Sequence, residues 1–289
     1  MIEVNCVSKS YGDFKAVEGL DLVVQRGETF ALLGPNGAGK STTIGMLVGL
    51  MRPDSGSIRI DQRDPMLPTT RTMIGVAPQA LAVYEELTAL ENLRFFASLY
   101  NDHSRIDWCL EFSGLKSRAN HRVSTFSGGM KRRLNIAIAV VNSPQVLLLD
   151  EPTVGVDPQS RNHIFDCISQ LQDDGMTIIY TTHYMEEVER LCKRVAIMDH
   201  GKLMAIGTVD ELLERHGGDS KVSAEISNVP TGVDLPGIVN DGVLEFHSAE
   251  PLETTLRLNR AGVEFRTLNV RRPDLESVFL SLTGRNLRD

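Results

Sequence analysis

Three stretches of this sequence predict an α/β fold with a mainly parallel sheet, followed by a smaller α+β domain. The first is Gly34-Pro35-Asn36-Gly37-Ala38-Gly39-Lys40-Ser41-Thr42, a glycine-rich loop set between a short apolar run and a helical pattern. The second is Val146-Leu147-Leu148-Leu149, a continuous apolar strand that ends in Asp150-Glu151. The third, Thr177 to Thr182, is another such strand and ends at His183. Strands that are apolar throughout are buried on both faces, as in a parallel sheet, and their alternation with helices makes the class α/β.

Taken in order, Ile2 to Val7 alternates as a strand, Lys9 to Asp13 reads as a turn, and Ala16 to Val24 forms a second strand-like segment. An antiparallel hairpin is therefore expected to feed the apolar run Thr29 to Leu33. Tyr11 precedes the glycine-rich loop, where an aromatic ring could stack on an adenine face or simply sit half-buried at a strand end. The loop itself fits the spacing G, four residues, G-K-[ST]. Gly37 and Gly39 permit a tight turn in which the backbone approaches a ligand without an intervening Cβ. Ile44, Leu47 and Val48 then recur at helical spacing, so the loop opens onto a helix N-terminus. Successive N–H groups and the helix dipole favour an anion there, and a polyphosphate is the natural occupant. Lys40 is placed to reach the terminal phosphates, and Ser41 to offer its hydroxyl to Mg²⁺.

Ser55 to Asp61 reads as a turn and strand, and Arg71 to Ala77 as a short apolar run closing on Pro78-Gln79. Gln79 alone is an ordinary solvated loop glutamine. Thr88 and Glu91 form a capping box, after which a helical pattern runs to about Val123. Ser127-Gly128-Gly129 precedes a helix with Leu134, Ile138 and Val141 on one face, a second arrangement suited to anions. Lys131, Arg132 and Arg133 read as a solvated helix turn. Asp150 at its strand end is placed to hold Mg²⁺ directly or through water, and Glu151 to polarise an attacking water. Pro152 to Pro158 is a structured turn. His183 stands at the same sheet edge as the phosphate loop, which points it toward the γ-phosphate. An acidic helix from Tyr184 to Cys192 and a hairpin from Arg194 to Leu203 follow.

Composition excludes some classes. In 289 residues, 42% hydrophobic and 24% charged, the balance is that of a globular protein. Thirty basic against 38 acidic residues give −8, which argues against nucleic acid as the main partner. Met1 to Asn5 lacks a charged-then-apolar leader, and no apolar run approaches the ~18 residues of a spanning helix. Cys6, Cys109, Cys167 and Cys192 show no C-x-x-C spacing, so unpaired thiols in a reducing cytosol are expected rather than zinc.

The order of these motifs resembles the ATP-binding cassette of ABC transporters over about residues 2–215, with a helical subdomain at about 80–145. GPNGAGKST is similar to the family's phosphate loop, Gln79 to its glutamine loop, and FSGGM to its signature. LLLDEP is similar to its Mg²⁺ and base strand, Asp157 to its dimer-contact aspartate, and His183 to its switch histidine. The chain departs from the family's common Leu and Gln around Ser-Gly-Gly, carrying Phe126 and Met130 instead. The resemblance gives Tyr11 an adenine-stacking role. It places Gln79 with Ser41 and Asp150 at Mg²⁺, and makes Glu151, His183 and Gln79 the catalytic set. It also implies that two chains close head to tail on two MgATP. Each ATP would then lie between one phosphate loop and the partner's Ser127-Gly128-Gly129. Hydrolysis would energise a permease on a separate chain, from the cytoplasmic face of the membrane.

Past about Arg215 the texture changes to a linker-like Gly217-Gly218-Asp219-Ser220 and then an expected accessory domain over 216–289. Val222–Ile226, Val243–Phe246 and Val263–Val270 read as strands and Pro251–Arg260 as a helix. Pro273 stands at the start of an amphipathic helix carrying Leu275, Val278, Phe279 and Leu282. The stretch from Pro273 to Arg285 resembles the C-terminus of daunorubicin-resistance-type exporter ATPases. That resemblance implies export of a drug, lipid or glycan-type substrate through an ABC-2-type permease. The tail itself reads either as a packing lid with no ligand or as a dimerisation or regulatory domain. The competing class is a cassette switch acting on ribosomes or nucleic acid. It expects paired cassettes or a coiled coil with a zinc hook, and neither pattern is present.

Overall fold

The computed structural model describes residues 2–284; Met1 and Arg285, included in the readings above, lie outside them. Two compact units follow one another, residues 2–208 and 209–284. The boundary expected near 215 falls earlier because the helix Val209–His216 packs on a helix near the C-terminus. Among the described residues, no helix is long and apolar enough to cross a membrane.

In the first unit, β1 (Ile2–Tyr11) and β2 (Phe14–Val24) form the expected hairpin. β3 (Thr29–Leu33) is buried along its whole length and delivers the chain to the glycine-rich loop. Next come α1 (Lys40–Leu47), β4 (Ser55–Ile60), the single turn α2 (Pro68–Arg71) and β5 (Ile74–Ala77). The stretch read as one helical pattern to Val123 is broken into α3 (Ala89–Ser98), α4 (Ile106–Phe112) and two short 3₁₀ turns. Asn101 and Gly114 interrupt it with positive φ of 54° and 65°. The capping box is present, with Glu91 N–H donating to Thr88 Oγ1 and Thr88 N–H to Glu91 Oε2.

α5 (Gly128–Ala139), β6 (Val146–Asp150), α6 (Pro158–Asp173), β7 (Thr177–Thr182) and α7 (Met185–Leu191) complete the alternation. β8 (Arg194–Asp199) and β9 (Lys202–Thr208) close the unit as a hairpin, its turn made by His200 and Gly201, both at positive φ. The six-stranded sheet has the order β5-β6-β7-β3-β8-β9, parallel except for β9. β3 therefore lies at the centre, and β5, β6 and β7 end on the edge where the glycine-rich loop begins. A separate antiparallel sheet, β2-β1-β4, shares a core with it through Leu20, Phe30, Leu47 and Ile60.

The second unit holds α8 (Val209–His216), β10 (Ser220–Asn228), β11 (Ile238–Asn240), β12 (Val243–Ser248), α9 (Pro251–Arg260), β13 (Glu264–Arg271) and α10 (Leu275–Thr283). Its antiparallel sheet, in the order β11-β12-β10-β13, packs Val222, Leu244 and Phe246 against Leu258 of α9. Asp274 caps α10 by accepting from Ser277 N–H, so Pro273 precedes the cap instead of opening the helix.

Candidate functional site

Open α/β sheets bind ligands beyond the carboxyl ends of their strands. Here that edge collects most of the residues singled out in the sequence. After β3 the backbone turns sharply: a Cβ on Gly34 would lie 2.3 Å from Met198 O, and one on Gly39, at φ 100°, 2.4 Å from Ala16 O. Around Gly37 there is open space instead. Pro35, Asn36, Gly37, Gly39, Lys40, Ser41, Thr42, Gln79 and Glu151 line one cavity of about 190 Å³, while Ala38 is buried beneath it.

Within this cavity Lys40 Nζ donates to the carbonyls of Gly34 (2.7 Å) and Pro35 (3.1 Å) and lies 3.4 Å from Glu151 Oε1. Burial pushes the Lys40 ammonium below its usual pKa, against the opposing charges of Glu151 and Asp150. Gln79, at the end of β5, donates from Nε2 to Glu151 Oε2 at 3.0 Å. His183, one residue past β7, holds Nδ1 at 3.4 Å from Glu151 Oε1 and packs on the Tyr184 ring. Glu151 is thus approached by an ammonium, an amide and an imidazole from three strand ends. Its backbone sits at φ 46°, a region that costs a side-chain-bearing residue about 1–3 kcal/mol. Its N–H donates to Thr181 O (3.1 Å) and Thr181 Oγ1 (3.0 Å), which holds it there. Thr181 Oγ1 in turn donates to Asp150 Oδ1 at 2.6 Å.

The other expected residues lie elsewhere. Ser127 caps α5, accepting from Met130 N–H at 3.2 Å, and both Ser127 and Gly128 are exposed. Gly129 faces inward, where a Cβ would lie 2.2 Å from Ser160 Oγ. Asp157 is the N-cap of α6, and the Ser160 N–H it accepts at 2.9 Å holds its carboxyl below the usual range. Tyr11 is half exposed and its hydroxyl meets Met51 Sδ at 3.0 Å. It does not line the cavity. Phe14, its partner across the hairpin, does.

Sequence reasoning missed further residues. Arg132 is not a solvated side chain: it is 7% exposed and donates to the carbonyls of Pro78 and Gln79. Lys131 pairs with Glu85 at 2.6 Å, and Arg133 donates to Ser113 O. Glu187 on α7 is buried beneath the site and accepts hydroxyls from Thr153 (2.7 Å), Tyr180 (2.8 Å) and Thr182 (2.8 Å). A run of basic residues carries no signal that one of them turns inward, and an acidic helix none that one carboxylate is buried.

Residues 17–154 match the family model described as ABC transporter. The linearmycin resistance ATP-binding protein LnrL of Bacillus subtilis is 42% identical over the full length of both chains. The chain belongs to the ABC transporter family, as one of its ATP-binding proteins. The cassette is also 41% identical to the Nod factor export ATP-binding protein I of Rhizobium sp. strain N33, over 99% of this chain and 98% of that one. It is 38% identical to the daunorubicin resistance ATP-binding protein DrrA3 of Streptomyces coeruleorubidus, over 99% and 97%. Among solved structures it is similar to a dimeric ATP-binding cassette in a post-hydrolysis state bound to ADP and Pi. That likeness has a TM-score of 0.65 and 27% identity, and covers 72% of this chain and 98% of the other. The cassette is an ATPase that energises a membrane permease, and it binds ATP.

Proposed function

We propose that this cassette powers export, closing head to tail with a second copy around two ATP molecules and driving an ABC-2-type permease from the cytoplasmic face. The observation that carries the reading is the cluster of Lys40, Gln79 and His183 on Glu151, at the mouth of a loop built for phosphates. Phosphoryl transfer needs a water-orienting group and cations around the γ-phosphate, and these side chains supply both. Lys40 would exchange its loop carbonyls for phosphate oxygens. Glu151 would orient the attacking water, with Gln79 and His183 fixing its two oxygens.

Ser41, Gln79 and Asp150 would hold Mg²⁺. A hydroxyl, an amide oxygen and a carboxylate are hard oxygen donors that suit this ion. Gln79 spends only its amide N–H on Glu151, and only Asp150 Oδ1 is taken by Thr181, so donor oxygens remain. When bound, the ion neutralises charge on the phosphate oxygens.

The exposed start of α5 at Ser127 and Gly128 is the face offered to the partner's γ-phosphate, with Asp157 nearby in the contact between copies. Adenine would stack at the turn of the first hairpin, where Tyr11 and Phe14 oppose each other. The permease would meet the aromatic patch of Tyr84, Phe95 and Phe96, whose rings lie 5.0 to 6.0 Å apart beside the Gln79 loop. Tyr84 and Phe95 are 49% and 41% exposed, the kind of surface that marks an interaction site. The unit from Val209 onward would be accessory, in dimerisation or regulation.

A pull-down of tagged Glu151→Gln from detergent-solubilised membranes with MgATP tests this. Recovery of a multi-spanning membrane protein, lost on Tyr84→Ala/Phe95→Ala, is expected. Recovery of ribosomal or nucleic-acid-bound material alone would overturn it in favour of a cassette switch.

A further inference from the structure

The glutamine loop has little regular structure of its own between Pro78 and Ala82, yet four hydrogen bonds from α5 pin it. Arg132 Nη1 donates to Pro78 O at 3.1 Å and to Gln79 O at 2.8 Å. Asn135, one turn on and 1% exposed, donates from Nδ2 to Pro78 O at 3.2 Å and accepts from Ala82 N–H at 3.1 Å. These bonds hold main chain, so they fix where the Gln79 side chain starts, and that side chain ends 3.0 Å from Glu151 Oε2. The same helix begins at Ser127, its cap, with Gly128 exposed and Gly129 seated against Ser160. A continuous path of named contacts therefore runs from the N-terminus of α5 to the carboxylate of Glu151. A helix is stiff along its axis, and a shift at its start is passed to side chains one and two turns on.

We propose that Arg132 and Asn135 are positioning residues that lock the Gln79 main chain to α5. An anion received at Ser127-Gly128-Gly129 is thereby registered at Glu151 of the same chain. This rests on the proposed pairing of two copies. In that pair, the ATP at one chain's Ser127 lies in the other chain's phosphate loop. Each nucleotide then aligns the Glu151 that acts on the other nucleotide, and the two hydrolysis events become coupled.

The test uses Arg132→Lys and Asn135→Ala in the full chain. Both are expected to lower kcat by roughly tenfold, within the range of residues that carry coupling. ATP binding to the single chain should stay within about twofold of the parent, and so should dimer formation by Glu151→Gln with MgATP. In a cycle with Gln79→Ala, the Arg132→Lys loss should vanish once Gln79 is gone, because both act through one side chain. A purely structural role would instead lower stability and multiply with Gln79→Ala. Unchanged kcat, or multiplicative losses, would overturn the clamp while leaving the pairing intact. A Glu151→Gln chain that stays monomeric on gel filtration with MgATP would overturn the pairing, and with it the relay between copies.

Discussion

Lys40 Nζ lies 3.4 Å from Glu151 Oε1, and the two side chains are 5% and 7% exposed. Under the proposed function Lys40 would meet ATP while already engaged by the carboxylate that would direct water at it, so phosphates would compete with Glu151 for Lys40. Charge-neutral Glu151→Gln removes that competitor. It is expected to bind ATP more tightly by calorimetry while kcat falls about 10²–10⁴-fold, the range for losing a group that takes or directs a proton. Equal or weaker ATP binding would show that the ion pair does not oppose the nucleotide.

Phe14, rather than Tyr11, lines the cavity. Phe14→Ala is expected to raise the ATP Kd by about 5- to 150-fold, the equivalent of 1–3 kcal/mol of base stacking, and Tyr11→Ala to change it little. Calorimetric titration of both variants separates the two rings. The opposite order would assign the adenine to Tyr11.

Glu187 accepts three hydroxyls in a buried setting. Glu187→Ala leaves Thr153, Tyr180 and Thr182 without their acceptor, which should cost roughly 3 kcal/mol. In a unit of this size the midpoint of thermal unfolding should drop by roughly 6–12 °C. Glu187→Gln, which keeps an acceptor oxygen, should lose less than half of that in a thermal melt.

Asp274 gives the second unit a pH dependence of known sign. Burial raises its carboxyl, but the N–H and hydroxyl of Ser277 and the charge of Arg271 outweigh this, and its pKa falls below 3.8. A depressed folded-state pKa means that the contribution to stability is complete above about 3.8 and is lost as pH falls through the folded value. Asp274→Asn should flatten the acid limb of the stability curve in urea unfolding and leave its slope near neutrality unchanged.

The four cysteines should separate by access. Burial raises the thiols of Cys109 to about 12 and Cys167 to about 11, and pushes Cys192 up as well, while Cys6 is exposed. A thiol reagent at neutral pH is expected to label Cys6 in the folded chain and all four in denaturant. Labelling of Cys192 without denaturant would contradict the packing under α7.

Much of the site was legible because its chemistry sits where strands end. A strand that is apolar throughout and stops at Asp150-Glu151 announces both its burial and the sheet edge where it ends, and the spacing through Lys40 gives the tight turn that opens onto α1. Arg132, Asn135 and Glu187 were not legible. Polar residues on a helix turn inward only when a loop from another part of the chain offers partners, and Pro78 to Ala82 is more than fifty residues away from Asn135. The break after α3 was hidden for a different reason: Asn101 takes a left-handed turn that periodicity alone does not encode. In the second unit β11 was missed because its three residues are all exposed and bear no alternation.

The sheet order has a consequence for how the chain is made. β3 carries the phosphate loop and leaves the ribosome early, yet its neighbours on both sides, β7 and β8, come last in the sheet but for β9. Gly27 N–H waits for Thr177 Oγ1 across 150 residues. At about 5–20 residues per second, that interval lasts roughly 8–30 s of synthesis. Throughout it this fully buried strand has two open edges, and the glycine-rich loop after it lacks the neighbouring strand end that carries His183. The cavity at that sheet edge is therefore complete only once β7 and β8 have paired with β3 on its two sides.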